Sequence, residues 1–275
     1  MGEILQNTTL VIAGHGSSRN PNMTKPAREH AKRIQAKQIF ADVKVAFWKE
    51  APNLNEVLDQ ITTKNIVIVP NLACSGHINK VVIPREMKLN GDISVRENGQ
   101  VVYLCDPVGD HEGLPTLFAD QLKKIMVRNE MREMETTVFL VAHGNPNPER
   151  PASHDNTVMM ATRIYQQIPL KAILPAFIEE KPFLYSWRKR VQTKDVVVLP
   201  FMIAAGTHGA KDIPEFLGID PEIVDFDAMM DEGSIAGPFE REDCKLWLMP
   251  AIGSHPRISD FITEIALNCL KNNVL

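Results

Sequence analysis

Short, almost wholly apolar runs alternate along the chain with stretches in which apolar residues return every three or four positions. NIVIVP at 65–70 and DVVVLP at 195–200 are typical of strands buried on both faces. Near the carboxyl end the apolar spacing becomes helical, at Ile258, Phe261, Ile262, Ile265 and Cys269. Strands that alternate with such helices predict βαβ units, and therefore an α/β fold in which parallel sheets are covered on both faces.

The chain also repeats its own order of motifs. Four segments of the first half return in the same order in the second: 8–21 as 136–151, 43–54 as 172–184, 65–87 as 195–217, and 106–114 as 249–258. A period of about 130 residues is too long for a solenoid and indicates a duplicated domain. We therefore expect one α/β domain over 1–130 and a second over 136–275. Residues 218–243 have no obvious counterpart and predict a loop or lid-like insertion.

Composition narrows the range of possible partners. The 275 residues are 44% hydrophobic and 23% charged, as in a soluble globular protein, and the net charge of −4 disfavours a nucleic-acid surface. The apolar runs are shorter than the ~20 residues of a membrane span, and the first residues are acidic where a signal peptide is basic. Four scattered cysteines without C-x-x-C spacing are typical of reduced thiols, so we expect a cytoplasmic protein.

Histidine and glutamate residues follow the predicted strands in both halves. They are His15 and His143 after the first strand, Glu50 and Glu180 after the second, His77 and His208 after the third, and His111 and His255 after the fourth. The carboxyl ends of parallel strands meet at one edge of the sheet, where α/β proteins bind their ligands. Several imidazole and carboxylate groups at that edge favour a borderline divalent metal such as cobalt, iron or nickel.

Other chemistries lack their motifs. The chain contains no P-loop, no G-x-G-x-x-G and no G-x-S-x-G, so nothing indicates a nucleotide cofactor or an elbow serine. The chain also contains no H-E-x-x-H motif, so nothing indicates a zinc hydrolase. The AHG at 142–144 lacks the preceding arginine of a histidine phosphatase.

These segments together resemble a known family. AHG at 142–144, AFIEEKP at 176–182, PFMIAAGTHGAKDIP at 200–214 and PAIGSHP at 250–256 are similar to the class II tetrapyrrole chelatases, in particular the long, two-domain sirohydrochlorin chelatases of the CbiX type. The first-half counterparts extend the resemblance over nearly the whole chain outside 218–243. It implies two tandem flavodoxin-like domains with the tetrapyrrole held in a cleft between them, and a monomer suffices for that arrangement.

The resemblance also implies an activity. Such enzymes insert a divalent metal into sirohydrochlorin without ATP, on the route to cobalamin or sirohaem. The metal is a substrate; cobalt is favoured here, with iron and nickel open. A pair of histidines with a nearby acid binds the metal and accepts the pyrrole protons, which suits imidazole because its pKa lies near ~6.5. The alternative is a non-catalytic carrier of metal or tetrapyrrole derived from such an enzyme.

Matching the family motifs assigns the site residues. The principal catalytic and metal-binding set is His143, His208 and Glu180, and the rival pair is His15 and His77. Gly206 and Gly209 would leave room for the macrocycle beside His208, and Ser17 and Arg19 are further candidates for binding it.

The second half fits the family spacing better. His208 lies six residues before Pro214, with Asp212 between them. His77 lies seven residues before Pro84, and Val82 occupies the position of the aspartate. Two other histidines are expected to have ordinary roles: His30 on a solvated helix face, and His154 at a helix start.

Overall fold

The computed structural model describes residues 2–18, 20, 23–147, 152–203, 208–225 and 234–274, with the backbone alone at 152, 208, 210 and 274. The chain divides into two compact units. One consists of Met1–His111 together with Pro256–Leu275, and the other of Glu112–His255.

The described part of each unit contains one five-stranded sheet with the same topology. The first sheet has strand order β2-β1-β3-β5-β4 and consists of β1 Thr8–Gly14, β2 Asp42–Phe47, β3 Asn65–Pro70, β4 Ile93–Val95 and β5 Val101–Leu104. The second has order β7-β6-β8-β10-β9 and consists of β6 Thr136–Ala142, β7 Ala172–Phe177, β8 Asp195–Pro200, β9 Ala236–Arg241 and β10 Cys244–Leu248. The predicted two-domain α/β fold is confirmed, and β1 and β6, which each pair with a strand on both sides, are buried along their whole length.

Each sheet also has an antiparallel strand at its edge, which the expectation of parallel sheets did not include. β4 pairs antiparallel with β5, and β9 pairs antiparallel with β10. Residues 236–241 of the expected insertion are therefore β9, the counterpart of β4. Residues 226–233, in the middle of that insertion, lie outside the described residues.

The α-helices flank the sheets. They are α1 Gly2–Leu5, α2 Lys25–Ala36, α3 Leu54–Val57, α4 Ile83–Glu86, α5 Leu114–Arg128, α6 Ala152–Tyr165, α7 Ile213–Phe216 and α8 Ile258–Val274. Among the described residues, no helix combines the length and apolar character needed to cross a lipid bilayer.

The compact units do not follow the sequence repeats to their ends. α5 belongs to the second unit, where it packs against α6, and α8 belongs to the first, where it packs against α2 and β3. The expected boundaries of 1–130 and 136–275 follow the repeated motifs, whereas the compact units change near His111 and His255. The apolar face of each long helix decides its unit, because burial of that face is its main source of stability.

His30 is fully buried, so the prediction of a solvated position is wrong. It lies on the same stripe of α2 as Ala27 and Ile34, at helical spacings of three and four residues, and both of those residues are buried.

Candidate metal site at the carboxyl ends of the strands

The backbone builds the same corner in each half, where the first two strands of each sheet end. After β1 and β2, the Lys49 N–H donates to the His15 carbonyl at 2.8 Å; after β6 and β7, the Glu179 N–H donates to the His143 carbonyl at 3.0 Å. The following turn is closed by Phe47 N–H to the Pro52 carbonyl, or by the corresponding bond of Phe177. Each histidine is thus fixed beside the residue two positions after the neighbouring strand.

The second-half corner, defined as His143, Gly144, His154, Phe177, Glu179 and Glu180, places a carboxylate beside an imidazole. His143 Nε2 is 3.6 Å from Glu179 Oε1, and both side chains are nearly half exposed. His143 Nδ1 is 3.1 Å from the Gly144 carbonyl oxygen, which can only accept a hydrogen bond. The neutral ring therefore carries its proton on Nδ1 and its lone pair on Nε2. An imidazole lone pair facing a carboxylate is a suitable arrangement for a divalent cation.

Glu180, the acid that the sequence analysis selected, lies deeper. Its side chain is 18% exposed, and its Oε1 is 3.5 Å from Nδ1 of His154. The His154 ring stacks on Phe177 with 4.8 Å between centroids and 18° between planes. The structure therefore brings Glu179 to His143, while Glu180 faces the first turn of α6. Composition gave no means of choosing between two adjacent glutamates.

A glycine is required after the histidine in this corner. Gly144 has φ +83°, and a Cβ there would lie 2.8 Å from Cγ of Glu180. Gly16 of the first half has φ +68°, and a Cβ there would lie 2.7 Å from Cβ of Phe47. The A-H-G and G-H-G motifs therefore reflect a left-handed backbone and a close approach, both of which favour glycine.

The first-half corner, defined as His15, Gly16, Thr24, Arg28, Phe47, Trp48, Lys49 and Glu50, has the same shape with different partners. Glu50 accepts hydrogen bonds from Thr24 Oγ1 at 2.9 Å and from Arg28 Nη2 at 3.0 Å. The Ser17 N–H is 3.4 Å from the other oxygen of Glu50. Ser17, a predicted tetrapyrrole contact, thus has a backbone role in this loop.

The surroundings of His15 also differ from those of His143. The His15 ring meets the edge of Trp48 with 5.4 Å between centroids, and Lys49 Nζ lies 3.6 Å from the Trp48 ring centroid. Lys49 occupies the position that Glu179 has in the second half. A cation stands where the second half has a carboxylate, so this corner is less suited to holding a metal ion.

The loops after the third strands contain the other two predicted histidines. His77 is exposed and precedes a π-helical turn, Ile78–Val82. His208 begins the corresponding π-helical turn, His208–Asp212, but its side chain, like Gly206 and Arg19, lies outside the described residues. Gly209 is buried within that turn. Among the side chains the structure describes, no three His, Cys, Asp or Glu residues form a ready cluster for a metal ion.

The first-half loop also contains Cys74, which adds no thiolate. Burial raises the pKa of the Cys74 thiol to about 11. The pKa of Asp110 is also raised, first by burial and then by the charge of Asp106. A thiol with this pKa stays protonated near neutral pH and is a poor metal ligand, because the thiolate is the ligating form.

His111 and His255, after the fourth strands, contact helices. His111 Nε2 is 3.2 Å from Glu264 Oε2, and its ring stacks on Phe261 with 4.2 Å between centroids. His255 Nε2 is 3.0 Å from Nε2 of Gln121. Both contacts tie the loop to the helix beside it.

Comparisons with known proteins agree with the duplication of the domain within the chain. The family model described as CbiX matches residues 9–125 and again residues 137–267. The chain therefore belongs to the CbiX family, as the resemblance of its motifs indicated.

Individual relatives cover nearly the whole chain. A probable sirohydrochlorin cobaltochelatase of Halobacterium salinarum is 26% identical in an alignment of 273 positions, which covers 94% of this chain and 90% of that protein. SirB from Bacillus subtilis, solved with Fe3+, and the sirohydrochlorin chelatase SirB from subspecies spizizenii, solved with cobalt, both superpose with a TM-score of 0.68 at 15% and 16% identity, over 97% of both chains. DR2241 from Deinococcus radiodurans superposes with a TM-score of 0.70 at 19% identity. The match covers 94% of this chain and only 54% of DR2241, which has two additional domains.

Proposed function

We propose that this protein inserts a divalent metal ion into sirohydrochlorin without ATP. Family membership and the relative described as a probable sirohydrochlorin cobaltochelatase support the reaction. The observation that carries the proposal is the pair formed by His143 and Glu179, an imidazole lone pair 3.6 Å from a carboxylate oxygen at the exposed edge of a parallel sheet. Cobalt(II) is the favoured substrate metal, with iron(II) and nickel(II) as alternatives because imidazole and carboxylate accept all three.

His143 and Glu179 can serve both steps of the reaction, delivery of the metal ion and removal of the protons. Insertion exchanges the two N–H protons of the macrocycle for one divalent cation, so two protons must leave. His143 Nε2 holds the metal ion while its water ligands are displaced, and the Glu179 carboxylate balances the charge. Once the ring nitrogens take the metal ion, both side chains are available to accept the released protons.

We place the working site in the second half. His208, at the start of the π-helical turn after β8, is the second metal-binding histidine in this proposal, and π-helical turns are frequent at functional sites. Glu179 takes the position beside the metal ion, and Glu180 packs against Gly144 in the loop that carries His143. His15 and His77 remain the rival pair, with Lys49 as the main argument against them.

The proposal extends to the setting of the reaction. Gly206 and Gly209 give the flat macrocycle access to the loop of His208, while Ser17 and Arg19 remain candidate contacts for it. The product enters cobalamin or sirohaem synthesis in the cytoplasm, and the protein acts as a monomer. No nucleotide, nucleic acid or membrane takes part in this proposal.

An anaerobic absorbance assay tests the function. Purified protein is mixed with sirohydrochlorin and cobalt(II), iron(II) or nickel(II), and the spectral change on metallation is timed against a protein-free control. We expect acceleration that is lost in His143→Ala and His208→Ala and kept in His15→Ala and His77→Ala. Loss only in the His15 and His77 variants would move the site to the first half.

The same assay would decide between an enzyme and a carrier, and between Glu179 and Glu180 as the acid beside the metal ion. Stoichiometric binding without acceleration by any metal would contradict the enzyme and favour a carrier of metal or tetrapyrrole. Glu179→Gln should lower the rate more than Glu180→Gln does, and the reverse order would return the acid role to Glu180.

A further inference from the structure

The unusual feature of the second-half corner is the environment of Glu180. Its Oε1 is buried and makes no hydrogen bond with the described residues. A ring nitrogen of His154, Nδ1, lies 3.5 Å from it, within ion-pair distance. An ionised oxygen removed from water without a partner costs several kcal/mol in general, so a nearby group that can donate a proton or carry a positive charge matters. The imidazole of His154 is such a group, at ion-pair distance from Oε1.

His154 is held in place by its own contacts. It lies in the first turn of α6, and its ring stacks on Phe177, which is fully buried at the end of β7. The planes differ by 18°, so rotation of the ring about its long axis is restricted by the aromatic surface beneath it. The Nδ1 edge is thereby directed towards the carboxylate of Glu180.

Glu180 in turn contacts the loop that carries His143. The position where a Cβ of Gly144 would be lies 2.8 Å from Glu180 Cγ and 3.2 Å from Oε1. A shift of the carboxylate would therefore change the space available to Gly144, the residue directly after His143. The contacts run from α6 through Glu180 to the metal-site loop.

In the first half, the corresponding carboxylate, that of Glu50, has hydrogen-bond donors of a different kind. Thr24, in the corresponding place before α2, donates to Glu50 at 2.9 Å, and Arg28 adds a second donor at 3.0 Å. Ile34 of α2 and Ile164 of α6 are both buried and correspond to each other. Val158 lies six residues before Ile164, as Arg28 lies six residues before Ile34, so Val158 has the position of Arg28 in the second half. His154 therefore supports its carboxylate without the arginine that neutralises Glu50.

We propose that His154 is a positioning residue that orients Glu180 beneath the Gly144 loop and so fixes His143 for the incoming metal ion. This inference rests on the proposed function for the role of His143. It assigns to His154 a contact with Glu180 and Phe177, and none with the substrate.

A matched pair of variants tests the inference. His154→Asn keeps an N–H donor near the position of Nδ1, whereas His154→Leu keeps apolar bulk over Phe177 and removes the donor. Val158→Ala, one turn further along the exposed side of α6, is the control. We expect His154→Leu to weaken cobalt(II) binding about 10-fold, as outer-sphere variants of metal sites commonly do. His154→Asn should stay within about 3-fold of the wild type. Equal affinities for the two His154 variants would overturn the inference.

A double variant tests whether His154 acts through Glu180. Glu180→Gln removes the charge that needs a partner, so adding His154→Leu to it should cause little further loss of cobalt(II) affinity. Fully additive losses would contradict a shared action. Should His154→Leu fail to fold, the comparison of His154→Asn with His154→Gln gives the same decision, because the longer amide cannot keep its N–H at the Nδ1 position.

A readout without metal separates this inference from the proposed function. Hydrogen exchange at the Gly144 and Asn145 amides should be faster in His154→Leu than in His154→Asn. If the wild type binds no cobalt(II) and accelerates no metallation, the proposed function fails, and the exchange rates still decide whether His154 positions the loop. Equal exchange in the wild type and both variants would refute the positioning role.

Discussion

The two corners of this molecule share a backbone and differ in charge. Each places a histidine and a left-handed glycine after the first strand, and each buries part of a glutamate against that glycine. The first corner then adds Arg28 and Lys49, whereas the second adds Glu179 and His154. With the histidines neutral, these side chains give the first corner one net positive charge and the second two negative charges.

This difference shows how a duplicated site can divide its tasks. The features common to both corners are those that the local backbone needs, namely the glycine, the phenylalanine and the supporting glutamate. The features that differ are the side chains at four positions on the same scaffold: Thr24, Arg28, Trp48 and Lys49 in the first half, and His154, Val158, Ile178 and Glu179 in the second. Because both corners have the histidine, the difference in metal affinity between them is expected to follow the variable positions, and stability the glycine, phenylalanine and glutamate that they share.

The largest effect is expected from giving the second corner the lysine of the first. Glu179→Lys replaces a carboxylate beside His143 Nε2 by a cation, which repels a divalent metal ion at short range. We expect cobalt(II) affinity, measured by isothermal titration calorimetry, to fall by about 100-fold or more. Glu222→Lys, an exposed site in the same unit, controls for the general change in charge. Unchanged affinity in Glu179→Lys would exclude the second corner as the metal site.

The next effect tests the shared backbone. Gly144→Ala and Gly16→Ala both force a side chain into the left-handed region and into contact with a neighbour below 3.0 Å. We expect each to lower the free energy of unfolding by about 2–3 kcal/mol, measured by chemical denaturation.

Gly91→Ala is the matched control for these glycine variants. Gly91 has φ +85° with no atom within 4 Å of a built Cβ, so it isolates backbone strain from steric contact. Its expected cost is about 1 kcal/mol. Equal costs at all three positions would show that the close approach to the glutamate and phenylalanine has no consequence.

Most of the fold could be predicted from the sequence because buried parallel strands are nearly continuous apolar runs. The edge strands were missed for the opposite reason. β4 has only three residues and two of them are exposed, and β9 is mostly polar or exposed, so neither has the apolar signal of a buried strand. The burial of His30 follows from its spacing to Ala27 and Ile34, because position on the apolar stripe of a helix, and not the polarity of one side chain, decides which face meets the core.

The candidate site was predictable to the level of the loop and less so to the level of the side chain. Strand ends and repeated motifs located His15 and His143. The choice between Glu179 and Glu180 depends on how the chain bends after β7 and on the space beside Gly144. One signal was available in the sequence, since Lys49 occupies the position of Glu179 whereas Glu50 and Glu180 are alike. Of the two adjacent acids, the one that differs between the repeats is therefore the candidate for metal binding, and the shared one is the candidate for structure.

A smaller effect concerns the stability of the first corner. Arg28→Ala removes the cation from Glu50, although the arginine side chain is 38% exposed and solvent screens part of the charge. We expect the free energy of unfolding to fall by about 1 kcal/mol. Val158→Ala, at the corresponding position of the second half, should change it by less than about 0.5 kcal/mol. A larger loss for Val158→Ala than for Arg28→Ala would contradict the assigned difference between the corners.

The smallest expected effect is a gain of weak cobalt(II) binding in the first corner. Lys49→Glu gives the first corner the acid of the second, so a second equivalent of cobalt(II) should bind weakly, at least about 10-fold less tightly than the first. Binding should stay weak because Arg28 remains close to Glu50 and its positive charge opposes the metal ion. Adding Arg28→Val should strengthen the second equivalent, and calorimetry on a His143→Ala background isolates it. If Lys49→Glu alone matched the affinity of the native site, the charge at this one position would explain the whole difference between the halves. If neither variant bound a second equivalent, charge would be insufficient, and the surroundings of His15, where the ring meets the edge of Trp48, would have to account for the difference.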